Sequence, residues 1–170
     1  MKRKLLLMLC CFFLCISITG CGGGVDLKEV NDVEGVTFSV PTDWRLEGAS
    51  DTLIPIYSYS ASPGDEEALN GRFSVCNEYD YTYYTSPVEA QEAGIDVLED
   101  IYGDLLVQQT TVDGEDATIV RYQDSELEGV NFATIYVIRE GRLFEFTYMA
   151  NTNETNLIDE EVLFGSIKFE

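Results

Sequence analysis

The spacing of apolar residues changes along the chain, and each change marks an element. Val36, Phe38 and Val40 alternate with Thr37 and Ser39 until Pro41 intervenes. That period of two is a half-buried strand, and proline stops it. Thr42-Asp43-Trp44-Arg45 reads as a turn carrying the only tryptophan. Residues 53–60 form a second strand, placed near a sheet edge by Pro55. Residues 62–67 are loop, and 72–84 are a third extended segment rich in tyrosine.

The period then becomes helical. Ser86 can cap, Pro87 suits the first turn, and Glu89 completes a capping box. Val88, Ile95, Leu98, Tyr102 and Leu105 fall on one side, whereas Glu89, Glu92, Asp96 and Asp100 fall on another. Like charges four apart cost roughly 0.2–0.5 kcal/mol each, so apolar packing must hold this helix.

Four strands follow. Residues 105–112 and 117–123 flank Asp113-Gly114, and 130–139 and 143–150 flank Glu140-Gly141-Arg142. Both junctions are hairpin signals. In the last strand Phe144, Phe146 and Tyr148 face one way, Glu145 and Thr147 the other, as expected of an antiparallel sheet. A final helix opens near 151–154, carries Leu157, Ile158, Val162 and Leu163, and ends at Gly165 as a C′ glycine. Ile167 and Phe169 suit a short closing strand. The expected class is α+β, an antiparallel β-sheet with helices packed on it.

The first residues follow a different logic. Lys2, Arg3 and Lys4 precede an apolar run over residues 5–18, which ends at Ile18-Thr19-Gly20-Cys21. Cationic start, apolar middle and small-residue end make a secretory signal. The run is shorter than the roughly 20 residues of a membrane-spanning helix. Its last four residues resemble the bacterial lipobox. That resemblance implies diacylglycerol on the Cys21 thiol and cleavage after Gly20. The domain plan is therefore a signal peptide over 1–20, a glycine-rich and then acidic tether over 21–34, and one domain over 35–170. The expected location is extracytoplasmic, lipid-anchored to a bacterial membrane through acylated Cys21.

Charge narrows the partners. Beyond residue 20 the chain holds seven basic residues against 31 acidic ones, a formal charge of −24. Phosphate-rich partners are repelled, which argues against nucleic acid. Cations, or a basic envelope protein, are the partners such a field attracts. Histidine is absent, which removes Ser-His-Asp and Cys-His nucleophilic systems and the usual zinc sites. Cys10, Cys11 and Cys15 lie in the signal, so only Cys76 remains after Cys21 is lipidated, and no intramolecular disulfide can form.

Gly35-Val36-Thr37-Phe38-Ser39-Val40-Pro41-Thr42-Asp43-Trp44 resembles the opening strand and P-x-x-W turn of PsbP-like and DcrB-like proteins. Ser166-Ile167-Lys168-Phe169 resembles their closing helix-to-strand segment. The resemblance covers about residues 35–170. It implies an α/β/α sandwich around an antiparallel sheet, often in a bacterial lipoprotein, with mostly non-enzymatic accessory or binding roles.

Three acidic clusters could carry chemistry. Asp113-Gly114-Glu115-Asp116 is acidic enough for calcium but reads first as a hairpin turn. Asp65-Glu66-Glu67 and Asp159-Glu160-Glu161 read as solvated faces. Tyr79, Tyr81, Tyr83 and Tyr84, with Glu78 and Asp80, are the candidate binding patch, suited to a cationic group or a peptide. No catalytic residue, metal ligand or cofactor is expected. The leading reading is a non-catalytic accessory or binding module. The alternatives are a carboxylate-based envelope hydrolase, needing two acids in one cleft with a raised pKa, and a calcium-dependent docking protein.

Overall fold

In the computed structural model, the residues described are 25–49, 56–60, 71–76, 84–152 and 158–170, with backbone alone for 47–49. Their elements run β1 (Leu27–Val30), β2 (Val36–Pro41), β3 (Arg45–Ala49), β4 (Ile56–Ser60), β5 (Arg72–Cys76), α1 (Pro87–Tyr102), β6 (Leu106–Val112), β7 (Glu115–Gln123), β8 (Val130–Arg139), β9 (Arg142–Asn151), α2 (Glu160–Gly165) and β10 (Lys168–Phe169).

Two antiparallel sheets hold them. The larger has seven strands in the order β3-β4-β5-β9-β8-β7-β6, and the smaller has the order β1-β2-β10. The expected four-strand meander is β6 to β9, in the expected order, and its hairpins follow from local turn chemistry. Asp113 and Gly114 both take positive φ (51° and 86°), as do Glu140 and Gly141 (53° and 77°). Such a pair of left-handed residues matches the twist of two paired strands.

Alternation along the strands supplies two apolar faces. Ala117, Ile119, Ala133, Ile135, Val137, Phe144, Phe146, Tyr148, Phe73 and Val75 line one face, which packs on Val36, Phe38 and Val40 of the small sheet and on Leu163 and Phe164 of α2. Val120, Tyr122, Tyr136 and Leu143 line the other and pack on Ala90 of α1, with Ile95, Leu98 and Tyr102 beside them. The large sheet is thus covered on both faces. One layer is a helix, and the opposite one is a three-stranded sheet plus the six-residue α2. Antiparallel sheet with helices packed on it is the class observed, and sheet dominates it. A helix layer on each side is only partly present, because β2 and β10 occupy most of the second side.

Several elements depart from the pattern-based expectation. Residues 27–30, assigned to a tether, form β1, which pairs with β2 from Leu27↔Pro41 to Val30↔Phe38. Val30 and Val33 are buried. The folded part therefore begins by Leu27, because those two side chains complete the core under β2. Arg45, assigned to a turn, opens β3. Val88 is 53% exposed rather than inward, since α1 approaches the sheet through Ala90 and Gly94. A Cβ on Gly94 would lie 3.2 Å from the Tyr136 hydroxyl. Gly165 closes α2 from within, and Ser166 is the C-cap in right-handed geometry. Its N–H returns to the Leu163 carbonyl (3.1 Å).

Ser86 caps α1 as the sequence predicts, but Glu89 reaches one residue further back than a capping box does. The Ser86 hydroxyl accepts the Glu89 N–H at 3.2 Å. The Glu89 carboxylate reaches back to the Thr85 N–H at 2.7 Å and to its hydroxyl, and the Thr85 hydroxyl above all holds Glu89 below the usual carboxylate range.

The acidic Asp113–Asp116 run proves to be a turn that clasps the C-terminus. The Asp113 carboxylate accepts the Phe169 N–H and the Lys168 ammonium, each at 3.0 Å. The Phe169 N–H first, then Lys168, lowers its pKa from the ordinary 3.8. A carboxylate depressed in the folded state stabilises above its ordinary pKa and loses that contribution as pH falls through the depressed value. As pH falls below 3.8 the Phe169 amide should therefore lose protection, exchanging faster relative to its intrinsic rate at that pH. Asp113→Gly keeps the left-handed turn and should show the faster exchange at neutral pH, with no further acid step attributable to this site. Unchanged Phe169 protection in that variant, followed by amide NMR, would rule the clasp out.

Candidate functional site

Where α1 ends, its last residue, strands β6, β7 and β8 and Glu160 of α2 line a cleft of about 720 Å³. Tyr102 is the last residue of α1. Gly103 (φ 79°) terminates the helix, its N–H bound to the Glu99 carbonyl at 2.9 Å, and the chain turns through Asp104 and Leu105 into β6. β7 contributes Arg121, Tyr122 and Gln123, and β8 contributes Asn131 and Phe132.

The cleft has an aromatic floor. Tyr122 and Phe132 are cross-strand partners, and their rings stack with centroids 5.1 Å apart and planes 2° apart. Tyr102 from the helix lies 4.6 Å from the Tyr122 ring and 6.0 Å from Phe132. The Tyr122 hydroxyl lies 3.3 Å from Thr134 Oγ1. Burial pushes its pKa up to about 12, so at neutral pH the ring is uncharged.

The rim is polar and carries more acid than base. Asp104, Asp124 and Glu160 face one cation, Arg121. Arg121 is already engaged: its Nε donates to Glu160 Oε1 at 2.6 Å and its guanidinium also donates to Gln108 at 3.1 Å. The pair is about one-third exposed on each side, and at such exposure an ion pair contributes at most about 1 kcal/mol. Its structural role is to pin α2 to the sheet. Asp124 accepts the Glu126 N–H at 2.8 Å, which shapes the β7–β8 turn. Past the Arg121–Glu160 pair, between β6 and α2, runs a second groove of about 490 Å³.

Chemically the cleft offers a cluster of aromatic rings beneath a rim with more acid than base. A cation over an aromatic face is attracted by the ring quadrupole, by about 0.5–2 kcal/mol. Among the described residues no cluster of three or more acids, cysteines or histidines could hold a metal ion.

Cys21, Tyr79, Tyr81 and Tyr83 lie outside the described residues. Tyr84 is half-buried against the α1 side of the core, where it packs. Tyr102 was expected as a packing position on the helix, and Tyr122 and Phe132 carried no signal beyond strand alternation. What unites them is register, which puts 122 opposite 132, and the length of α1.

In fold the chain is similar to cyanobacterial PsbP (CyanoP) from Synechocystis sp. PCC 6803, known from a solution structure. The TM-score is 0.54 at 12% identity, over 90% of this chain and 99% of that one. A crystal structure of PA94, a protein of unknown function from Pseudomonas aeruginosa, overlaps 75% of this chain and 84% of that one at 12% identity and a TM-score of 0.39. At such identity the first likeness is one of fold, and the second carries no argument. No family model and no curated protein matches the chain.

Proposed function

We propose that this chain is a bacterial lipoprotein, anchored through Cys21, whose PsbP-like domain is a non-catalytic accessory or binding module outside the cytoplasmic membrane. The signal-like residues 1–20 and the lipobox-like Ile18–Cys21 support the anchor. The aromatic floor of Tyr102, Tyr122 and Phe132 beneath Asp104 and Asp124 supports the binding role and carries it. The ligand class is cationic, an ammonium or guanidinium group presented by a small molecule or an envelope protein.

The test is a titration of the full chain in detergent with tetramethylammonium and choline, followed by amide NMR. Saturable shifts are expected at Tyr102, Tyr122 and Phe132. Tyr102→Ala should weaken binding roughly two- to thirty-fold, and Tyr102→Phe should preserve it. Binding that ignores Tyr102→Ala, or turnover of a cell-wall or lipid substrate by the purified protein, would overturn the reading.

A further inference from the structure

The seven-stranded sheet has two edges, and they are built differently. At one end β3 carries Arg45, Glu47 and Gly48, and its register with β4 shifts between Leu46 and Ala49. Charge, glycine and a bulge are the usual devices that keep a strand edge from pairing with a stranger. At the other end β6 has none of them. Leu106-Val-Gln-Gln-Thr-Thr-Val112 contains no charge, glycine or proline, although 24% of the chain is charged. Its register with β7 is unbroken from Leu106↔Arg121 to Val112↔Glu115. Residues 106–111 are exposed, Leu106 by 61% and Val107 by 47%. Among the described residues no strand pairs with its outer side. About 23 Å of straight, neutral edge therefore presents unpaired N–H and C=O groups.

The surroundings select the occupant. Gln108, Thr110 and Val112 form one wall of the groove beside α2, and Glu160, Glu161 and Phe164 contribute to the rest. Arg121 in that groove is already paired with Glu160. A strand laid along β6 would project every second side chain over these acids. A second copy of this chain would bring its own net charge of −21 to the same place, and like-charge juxtaposition opposes that. A basic segment meets no such penalty.

We propose that β6 is a docking edge for an extended basic segment of another protein, added antiparallel or parallel as an eighth strand. Main-chain hydrogen bonds supply affinity, and Lys or Arg at alternate positions over Glu160 and Glu161 supply selectivity, the β-addition mode of peptide recognition. The surface is distinct from the aromatic cleft, although the two meet at Leu106, Arg121 and Glu160, and it does not depend on the cleft binding anything.

The probe is an eight-residue Lys-Thr repeat peptide, with a Glu-Thr repeat as control, titrated against the full chain in detergent at low salt. The Lys-Thr peptide is expected to bind, to slow exchange at alternate β6 amides, and to weaken as salt rises. Thr110→Lys and, separately, Gln108→Lys place a like charge on the exposed edge and should each weaken binding at least ten-fold with little change in melting temperature. Tyr102→Ala should leave it unchanged, which separates this surface from the cleft. The proposal is overturned if the Lys-Thr peptide does not bind, if the acidic control binds equally, if protection appears away from β6, or if both lysine variants bind normally. It is also overturned if light scattering shows a dimer that Thr110→Lys dissolves, since a second copy would then own the edge.

Discussion

Phe146→Ala is expected to lower folding stability by about 3–5 kcal/mol, the range for deleting a fully buried phenylalanine. Phe146 is fully buried in β9, between Val75 and Ile135 on the neighbouring strands. Its ring lies 6.2 Å from Phe73, 6.4 Å from Phe144 and 6.3 Å from Phe169. Phe169 belongs to β10, so this one side chain joins the large sheet to the small one. Truncation leaves a cavity that neither sheet can close without shifting the other. Since small domains hold only about 5–15 kcal/mol in total, the variant should sit near the limit of folding at 37 °C. Ile56→Ala, at a position 40% exposed on β4, should change stability by about 0.5 kcal/mol or less. Urea midpoints at constant slope provide the comparison. Equal midpoints for the two variants would mean that the layers do not meet at Phe146.

Cys21→Ala is expected to abolish metabolic labelling by a fatty-acid probe and to leave the precursor uncleaved or the protein out of the membrane fraction. The magnitude follows from chain length: each buried methylene contributes about 0.8 kcal/mol, so one acyl chain binds marginally and two or three hold firmly. No partial phenotype is expected, because all the chains depend on the same sulfur. Cys76 offers no substitute, being buried in β5. Label retained on the Ala variant would defeat the proposed anchor, whatever the aromatic cleft binds.

The elements visible in the sequence were those with local causes. Asp113-Gly114 and Glu140-Gly141 announce their turns because the left-handed backbone needs particular residues there. Ser86 and Glu89 announce α1 for a similar reason. What stayed hidden depends on partners distant in the chain. Leu27-Lys28-Glu29-Val30 has no strong strand character and becomes β1 by pairing with β2, helped by the Lys28 ammonium donating to the Trp44 carbonyl. Val88 sits on the apolar stripe of α1 yet faces water, because the close approach of Gly94 to Tyr136 decides which side of the helix is pressed to the sheet. The aromatic cleft was hidden for the same reason. Tyr102, Tyr122 and Phe132 are 20 and 10 positions apart, and only strand register and the end of α1 bring their rings within 6.0 Å.

Because β1 begins at Leu27, few residues separate the folded domain from the proposed lipid at Cys21. Six residues reach at most roughly 20 Å when fully extended, about two and a half screening lengths at physiological salt. Such a short stalk would confine the domain to a shallow shell above the headgroups, where its excess of carboxylates would bias its posture away from anionic lipid. Any protein that it serves would have to come down to the bilayer surface to be reached.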